Sequence, residues 1–357
     1  MKKIGILTSG GDCQGINAAI RGVAKALYKE FGNEVIIYGI QDGYSGLIYG
    51  NYKEMREEDF SGILTRGGTI LGTSRESLRR VRVANDIDKV KSMKVNYKKL
   101  KLDCLIVLGG NGTQKTANML FEEGINIIGV PKTIDNDVWG TNITFGFHSA
   151  MEIATDVIDK IHTTATSHGR VFIVEIMGKT SGWLTLYAGI AGGAEAVLIP
   201  EIPYDIKYVA QKLERREKKG KMFSIIAVAE GAISIEEASM KKSDVKRIRD
   251  SLGYPSVAYK VASDLSRLTD REIRIAVPGH YQRGGTPCGF DRVLATEFGT
   301  VAAKLVSQEK YGNMVAMQNG RIIPVPLKSV SGKIKTVWGN SEEVRSGREI
   351  GICFGDM

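Results

Sequence analysis

The sequence of 357 residues reads as an α/β protein built on doubly wound parallel sheets. Three observations predict this. Short, unbroken apolar runs rich in β-branched residues recur along the chain, as expected of strands buried on both faces. Segments with apolar residues at helical spacing lie between them. The runs end in glycine-rich or polar loops, and open α/β sheets bind ligands outside the carboxyl ends of their strands. The length fits two ordinary domains better than one.

The elements follow in order. A first strand is expected at residues 4–7, then a helix over 17–29 with Ala18, Ala19, Val23, Ala24 and Leu27 on one period. A strand at 35–40 follows, and strands at 104–108 and 127–130 flank a helix over 113–123. A helix over 149–163 leads to strands at 171–176, 196–199, 225–228 and 273–277. The charged stretch 236–250 reads as a surface helical region. No internal repeat or low-complexity linker is visible.

Composition narrows the function. Hydrophobic residues at 43% and charged residues at 25% exclude a mainly disordered chain. The 42 glycines cluster in loops and follow no Gly-X-Y period, which excludes collagen. Lys and Arg exceed Asp and Glu by 49 to 40, a net +9. That excess admits nucleic acid, an anionic membrane surface or small anionic substrates. The one basic run, Arg215 to Lys221, reads as a solvated helix end. Cys13, Cys104, Cys288 and Cys353 form no CxxC pair, so neither a zinc spacing nor a disulfide scaffold is expected. The opening MKKIGILTSGGD is too short in apolar residues for a signal peptide, and no segment approaches a membrane span. A soluble cytoplasmic protein with reduced thiols is expected.

Four loops carry chemistry. Thr8-Ser9-Gly10-Gly11-Asp12, with Gly15 and Asn17, follows the first strand. Glycine there lets backbone N–H groups approach a phosphate at a helix N-terminus. It is neither a Walker A loop nor GxGxxG. Gly109-Gly110-Asn111-Gly112-Thr113 repeats the arrangement after 104–108, which makes plain turns a poor explanation for both. Pro131-Lys132-Thr133-Ile134-Asp135-Asn136-Asp137 sets two carboxylates, a cation and a hydroxyl behind a buried strand. A carboxylate beside a substrate hydroxyl can take its proton during phosphoryl transfer. Gly279-His280-Tyr281-Gln282-Arg283-Gly284-Gly285 offers an arginine fork suited to phosphate; His280 is expected to bind rather than to do acid–base chemistry.

TSGGD, LGTSR, GGNGT, PKTIDND, VEIMG and GHYQRGGTP, in this order and spacing, resemble the bacterial-type phosphofructokinase family, over the chain from its N-terminus to about Asn319. The resemblance implies two Rossmann-like domains with the active site in the cleft between them. They would comprise residues 1–146 with about 282–332 for the nucleotide, and 147–281 with about 333–357 for the sugar phosphate. It also implies ATP as phosphoryl donor, Mg²⁺, fructose 6-phosphate as acceptor, and a homotetramer, or a dimer, whose substrate site is shared between subunits.

Carried over residue by residue, the resemblance makes Asp135 the base for the sugar 1-hydroxyl. Thr133 lies near the transferred group, and Asp137 supports metal and geometry. Gly11, Arg75, Glu76, Gly110, Asn111, Gly112, Thr113 and Lys132 fall on the donor, with Asn111 at the metal position. Arg170, Arg274, His280 and Arg283 fall on the sugar 6-phosphate, the first two reaching a neighbouring subunit. Ile134, Met177, Gly178, Glu230, Tyr281 and Gln282 complete the sugar side, with Lys179 where many members carry Arg. Gly112 leaves room for a nucleotide and points to ATP, whereas Lys132 is the rule in pyrophosphate users. A pyrophosphate-dependent phosphotransferase is therefore the alternative. Asn111 stands where the family usually has Asp; Asp137 or Asp12 could supply the missing charge. A non-catalytic regulatory paralogue is the third reading. Gln41 stands where an adenine-facing Tyr is common. At the family's effector site Arg21 is kept, but Lys25 and His162 replace arginines, and Met222 and Phe223 interrupt a basic run from Lys218. Weak or absent control by ADP or phosphoenolpyruvate is expected.

Overall fold

The computed structural model describes residues 1–75 and 88–357. They fall into two compact units, Met1–Ser149 with Arg283–Lys335, and Ala150–Gln282 with Thr336–Met357.

The first unit holds β1 (Lys2–Thr8), α1 (Ile16–Phe31), β2 (Val35–Ile40), α2 (Tyr44–Tyr49), β3 (Tyr52–Met55), α3 (Lys89–Leu100), β4 (Cys104–Gly109), α4 (Asn111–Glu122) and β5 (Ile127–Pro131). The long α5 (Phe147–His168) belongs mostly to the second unit, with β6 (Val171–Ile176), α6 (Trp183–Ala191), β7 (Ala196–Leu198), α7 (Ile206–Lys218) and β8 (Ser224–Ala229). There follow α8 (Ile235–Ala238), α9 (Lys242–Ser251), α10 (Val257–Leu265) and β9 (Ile273–Ala276). The chain returns to the first unit for α11 (Gly289–Ser307), β10 (Asn313–Gln318), β11 (Arg321–Pro326) and α12 (Leu327–Val330), and ends in the second with α13 (Glu342–Glu349).

All eight expected strands form. The first sheet has the order β11-β10-β5-β4-β1-β2-β3. Its centre is parallel and buried, with Ile4, Ile6, Ile106, Val107 and Ile128 fully enclosed. Each such side chain contributes roughly 1.5–3 kcal/mol on burial. The edges depart from the all-parallel expectation: β3 pairs with β2, and β11 with β10, antiparallel. β3 is a mostly exposed edge strand, so it lacks the apolar run that marks a buried one. β10 and β11 are joined by Asn319 and Gly320, both at positive φ, the two-residue turn that hairpins favour. The second sheet, β7-β8-β6-β9, is wholly parallel.

Two features set the framework. Helix α1 packs against α11 at Gly22, where a Cβ would stand 2.6 Å from the Thr296 carbonyl, so only glycine allows the approach. In the second unit the C-terminal segment covers the open edge of β7. Val197 N donates to the Cys353 carbonyl at 2.9 Å, Cys353 N donates to that of Glu195 at 3.0 Å, and Phe354 is buried behind them. An uncovered edge would invite pairing with another chain. The charged region expected to be helical at 236–250 is formed by two helices, α8 and α9.

Candidate active site

The carboxyl ends of β1, β4 and β5 surround a cavity of about 320 Å³ in the first unit. Its walls include Gly10, Gly11, Arg75, Gly112, Lys132, Asp135 and Arg283. Three loops singled out above therefore converge on one space, joined by the arginine of the fourth.

The glycine loop after β1 is held from behind. Gly10 N donates to the Ser74 carbonyl at 3.0 Å, and Thr73 Oγ1 donates to the Gly10 carbonyl at 2.7 Å. Lys132 is buried, and its Nζ donates to the Ser9 carbonyl at 2.9 Å and to the Gly11 carbonyl. Burial lowers its pKa. Its charge is thus spent partly on shaping the loop. Because a trans peptide sets N–H opposite C=O, drawing the Gly11 carbonyl toward Lys132 turns the Asp12 N–H the other way. A Cβ on Gly11 would lie 2.9 Å from Arg283 Nη1 and 3.2 Å from Arg75 Nη2, so two guanidinium groups crowd this turn. Arg283 Nη1 also donates to the Asp12 carbonyl at 2.9 Å.

The second loop opens α4, whose first residues bring Asn111, Gly112 and Thr113 to the cavity wall. A helix N-terminus favours an anion by its unpaired N–H groups and dipole. A Cβ on Gly112 would meet nothing within 4 Å, so the space in front of it is open.

The third loop is acidic and enclosed. Asn111 Nδ2 donates to Asp137 Oδ2 at 2.7 Å and to the Asp137 carbonyl at 3.2 Å. Asn111 Oδ1 and Asp135 Oδ1 are buried with no hydrogen-bond partner. Burial raises the pKa of Asp135, against the pull of Arg283, Arg75 and Lys132. Burial, and then the neighbouring Asp135 charge, push Asp137 up to about 7, while Asn111 and Lys335 oppose the rise. Unpaired buried oxygens are costly unless something meets them. Oxygen donors of this kind suit a hard divalent cation that keeps several waters. Among the described residues no larger cluster of His, Cys, Asp or Glu competes for one.

Local geometry explains the loop. Between the carboxylates Asn136 has φ 49, the left-handed region that asparagine tolerates better than other non-glycine residues. Its Oδ1 accepts from Thr144 N at 3.1 Å. Thr133 Oγ1 accepts from Asp135 N at 3.1 Å, and Thr144 Oγ1 donates to the Thr133 carbonyl at 2.8 Å. Thr133 therefore shapes the turn as well as facing the cavity. Ile134 is fully buried and serves as the loop's apolar anchor.

The sugar-side residues other than Arg283 and the Thr133–Asp135 stretch lie in the second unit. Met177 N donates to Gln282 Oε1 at 3.2 Å, and Glu230 N donates to the Ile176 carbonyl at 2.9 Å. Gly178 has φ 137, and a Cβ there would stand 2.7 Å from the Ser181 carbonyl. Lys179, His280 and Tyr281 are exposed. Arg170 Nε donates to Glu272 Oε2 at 2.6 Å, and Arg274 reaches the other oxygen of the same carboxylate. Glu76 lies outside the described residues.

Sequence reasoning missed Tyr44 and Thr116, which also line the cavity, as does Ser9 of the first glycine loop. Tyr44 is buried at the start of α2, and its hydroxyl donates to the Thr113 carbonyl at 3.0 Å. Its place beyond the carboxyl end of β2 was the available signal. Of the positions that the resemblance compared with an effector site, Lys25 pairs with Glu57 and Lys218 with Glu214, while the His162 ring meets that of Phe223 edge to face.

Glycine loops at two strand ends, an acidic loop at a third and converging cations define an α/β protein equipped to handle phosphate groups. The phosphofructokinase family model matches residues 3–306, and the chain belongs to that family. An ATP-dependent 6-phosphofructokinase of Spirochaeta thermophila is 52% identical over 99% of this chain and 98% of its own. ATP-dependent 6-phosphofructokinase 3 of Bacteroides thetaiotaomicron is 45% identical over 99% of this chain and all of its own. The solved phosphofructokinase of Saccharomyces cerevisiae superposes with a TM-score of 0.79 at 33% identity, over 92% of this chain; the match spans 45% of the yeast chain. A pyrophosphate-dependent phosphofructokinase of Marinobacter aquaeolei shares the fold at TM-score 0.80 and 20% identity, covering 96% of this chain and 88% of its own. Among the described residues no helix is long and apolar enough to cross a membrane.

Proposed function

We propose that this chain is an ATP-dependent 6-phosphofructokinase, transferring the terminal phosphoryl group of ATP to the 1-hydroxyl of fructose 6-phosphate in glycolysis. The observation that carries the proposal is Asp135: a half-buried carboxylate whose Oδ1 is buried without a hydrogen-bond partner, in one cavity with a glycine cradle and three cations. Asp135 takes the hydroxyl proton, and burial raises its basicity for that task. Gly11 and the start of α4 seat the donor phosphates. Arg75 faces the charge that spreads over the transferred group while Arg283, in the same cavity, serves the sugar 6-phosphate, and positioning and neutralisation are most of what such catalysis needs. Asn111 Oδ1 and Asp137 would hold Mg²⁺, which neutralises donor charge when bound. Arg170, Arg274, His280, Met177, Gly178, Lys179, Glu230, Tyr281 and Gln282 serve the sugar phosphate.

The open space before Gly112 favours ATP. Lys132, the residue that argued for pyrophosphate, is engaged by two loop carbonyls. The reading includes a cytoplasmic homotetramer in which Arg170 and Arg274 act on a neighbouring subunit's substrate; sedimentation of the purified protein tests the assembly. The function is tested by fructose 1,6-bisphosphate formation with Mg²⁺ and either ATP or pyrophosphate. Turnover with ATP alone is expected. Turnover with pyrophosphate alone would give the donor site to Lys132. Turnover with neither, in a folded protein that binds fructose 6-phosphate, would make the chain a binding paralogue.

A further inference from the structure

The carboxylate loop is braced by a segment that lies beyond residues 3–306, the part matched by the family model. After α12 the chain passes behind the loop. Val138 and Ile334 form an antiparallel bridge, and Lys335 N donates to the Asp137 carbonyl at 2.8 Å. Lys335 Nζ then donates three ways: to Asn136 Oδ1 at 3.0 Å, to the Thr141 carbonyl at 3.1 Å and to the Asn142 carbonyl at 2.7 Å. One side chain thus joins the residue between the two carboxylates to the strand of chain that leaves them. The end of β10 supports the same stretch, with Gln318 Nε2 donating to the Gly140 carbonyl at 2.7 Å and Asn142 N donating to that of Met317 at 2.8 Å.

Asn136 is the point at which such a brace matters. Its φ of 49 lies in the left-handed region, which asparagine adopts more readily than other non-glycine residues and which surrounding hydrogen bonds hold in place. The Asn136 side chain supplies part of that, through Thr144 N and Lys335 Nζ on one oxygen. If the turn relaxes, Asp135 and Asp137 lose their fixed aim together, since they flank it.

We infer that Lys335 is a positioning residue for phosphoryl transfer, holding the Asp135–Asn136–Asp137 turn in its working conformation without touching substrate. The inference rests on the proposed activity of that turn, so its test has one readout that needs no turnover. Amide exchange across residues 132–142 is compared in the wild-type chain and in Lys335→Met, with kcat and KM measured alongside. The Met variant is expected to exchange faster there and to lose about 10–100-fold in kcat, as when the supports of a catalytic group are removed. Its KM for fructose 6-phosphate should stay within about twofold, because the loss is in aim rather than in binding. Lys335→Arg keeps a cationic donor and should recover most of the activity. In an Asn136→Gly background, where the shared oxygen is gone, the Met replacement should cost less than in the wild-type chain, the mark of residues acting through one another.

A lowered melting temperature with kcat and exchange unchanged would overturn the inference, as would losses that multiply independently in the double variant. Lys335→Gln carries the same comparison should the Met variant not fold. An inactive wild-type chain would remove the functional reading alone, and the exchange comparison would still decide whether Lys335 braces the turn.

Discussion

Asp135 and Asp137 of the first unit have their carboxyl groups enclosed, on a turn stitched to Thr133, Thr144 and Lys335. Arg170 and Arg274 of the second unit reach solvent and share one exposed partner, Glu272. The two regions hold charge in opposite ways. The carboxylates are kept in place by covalent turn geometry and largely part-buried hydrogen bonds, which salt screens much less. The arginines are kept by surface ion pairs, which are individually weak and screened by salt. On the proposed function this division suits their tasks. A base must be aimed to within a fraction of an ångström, whereas a phosphate clamp can close around a ligand that brings its own charge.

The sharpest way to break the comparison is at the enclosed side. Asp135→Asn keeps the shape and removes the base, so kcat should fall by about 10²–10⁴-fold. Binding of fructose 6-phosphate without donor, followed by calorimetry, should be little changed. A kcat within a few-fold of wild type would take Asp135 out of the chemistry. Next in size is Gly112→Asp, which places a carboxylate in the open space before α4. Facing donor phosphates, it should lower kcat/KM for ATP by about 10–100-fold, the range of one or two buried like-charge contacts at close quarters. An unchanged value would mean that the donor does not pass in front of Gly112.

At the exposed side the effects should be smaller and should appear in KM. Arg274→Ala removes one charge-assisted phosphate contact and should raise the KM for fructose 6-phosphate by about tenfold with the ATP KM unaltered. Glu272→Gln should act the other way. It frees both guanidinium groups from a competing carboxylate, and a decrease in KM of about twofold is expected, fading as salt is added. A KM that rises instead would show that Glu272 pre-aims the arginines rather than competing for them.

The same contrast explains what could be read from sequence. Buried strands announce themselves by unbroken apolar runs, so the eight parallel strands and the loops at their ends were legible. That Asp135, Asn111 and Gly112 would line one cavity was legible because each lies in a loop at a strand's carboxyl end. The edge strands were not, since half-exposed strands lack the run; Asn319-Gly320 was a readable hairpin signal that went unused. Direction is harder still. Lys132 reads as a cation for phosphate, and only the fold shows its ammonium turned onto the carbonyls of Ser9 and Gly11. The partnership of Lys335 with Asn136 crosses 199 residues of sequence, and no local pattern encodes it.

The smallest expected effect is a response to ADP or phosphoenolpyruvate as effectors. Apart from Arg21, the positions that the resemblance would make supply cations to a diphosphate are altered in type, and several are also engaged. Lys25 Nζ lies 2.8 Å from Glu57 Oε1, and Lys218 Nζ lies 2.6 Å from Glu214 Oε1. The His162 ring packs against Phe223, and Arg216, which is also stacked on Phe223, holds Glu195 at 2.7 Å. An incoming diphosphate would have to break these pairs before gaining contacts that lysines make less well than forked arginines. Fructose 6-phosphate saturation should therefore be hyperbolic, and ADP, at concentrations below those that compete with ATP, should move its midpoint by less than about twofold, a coupling too small to count as regulation. Sigmoidal curves made hyperbolic by ADP would show that these surface pairs yield to ligand, as the Arg170–Glu272–Arg274 cluster is expected to do.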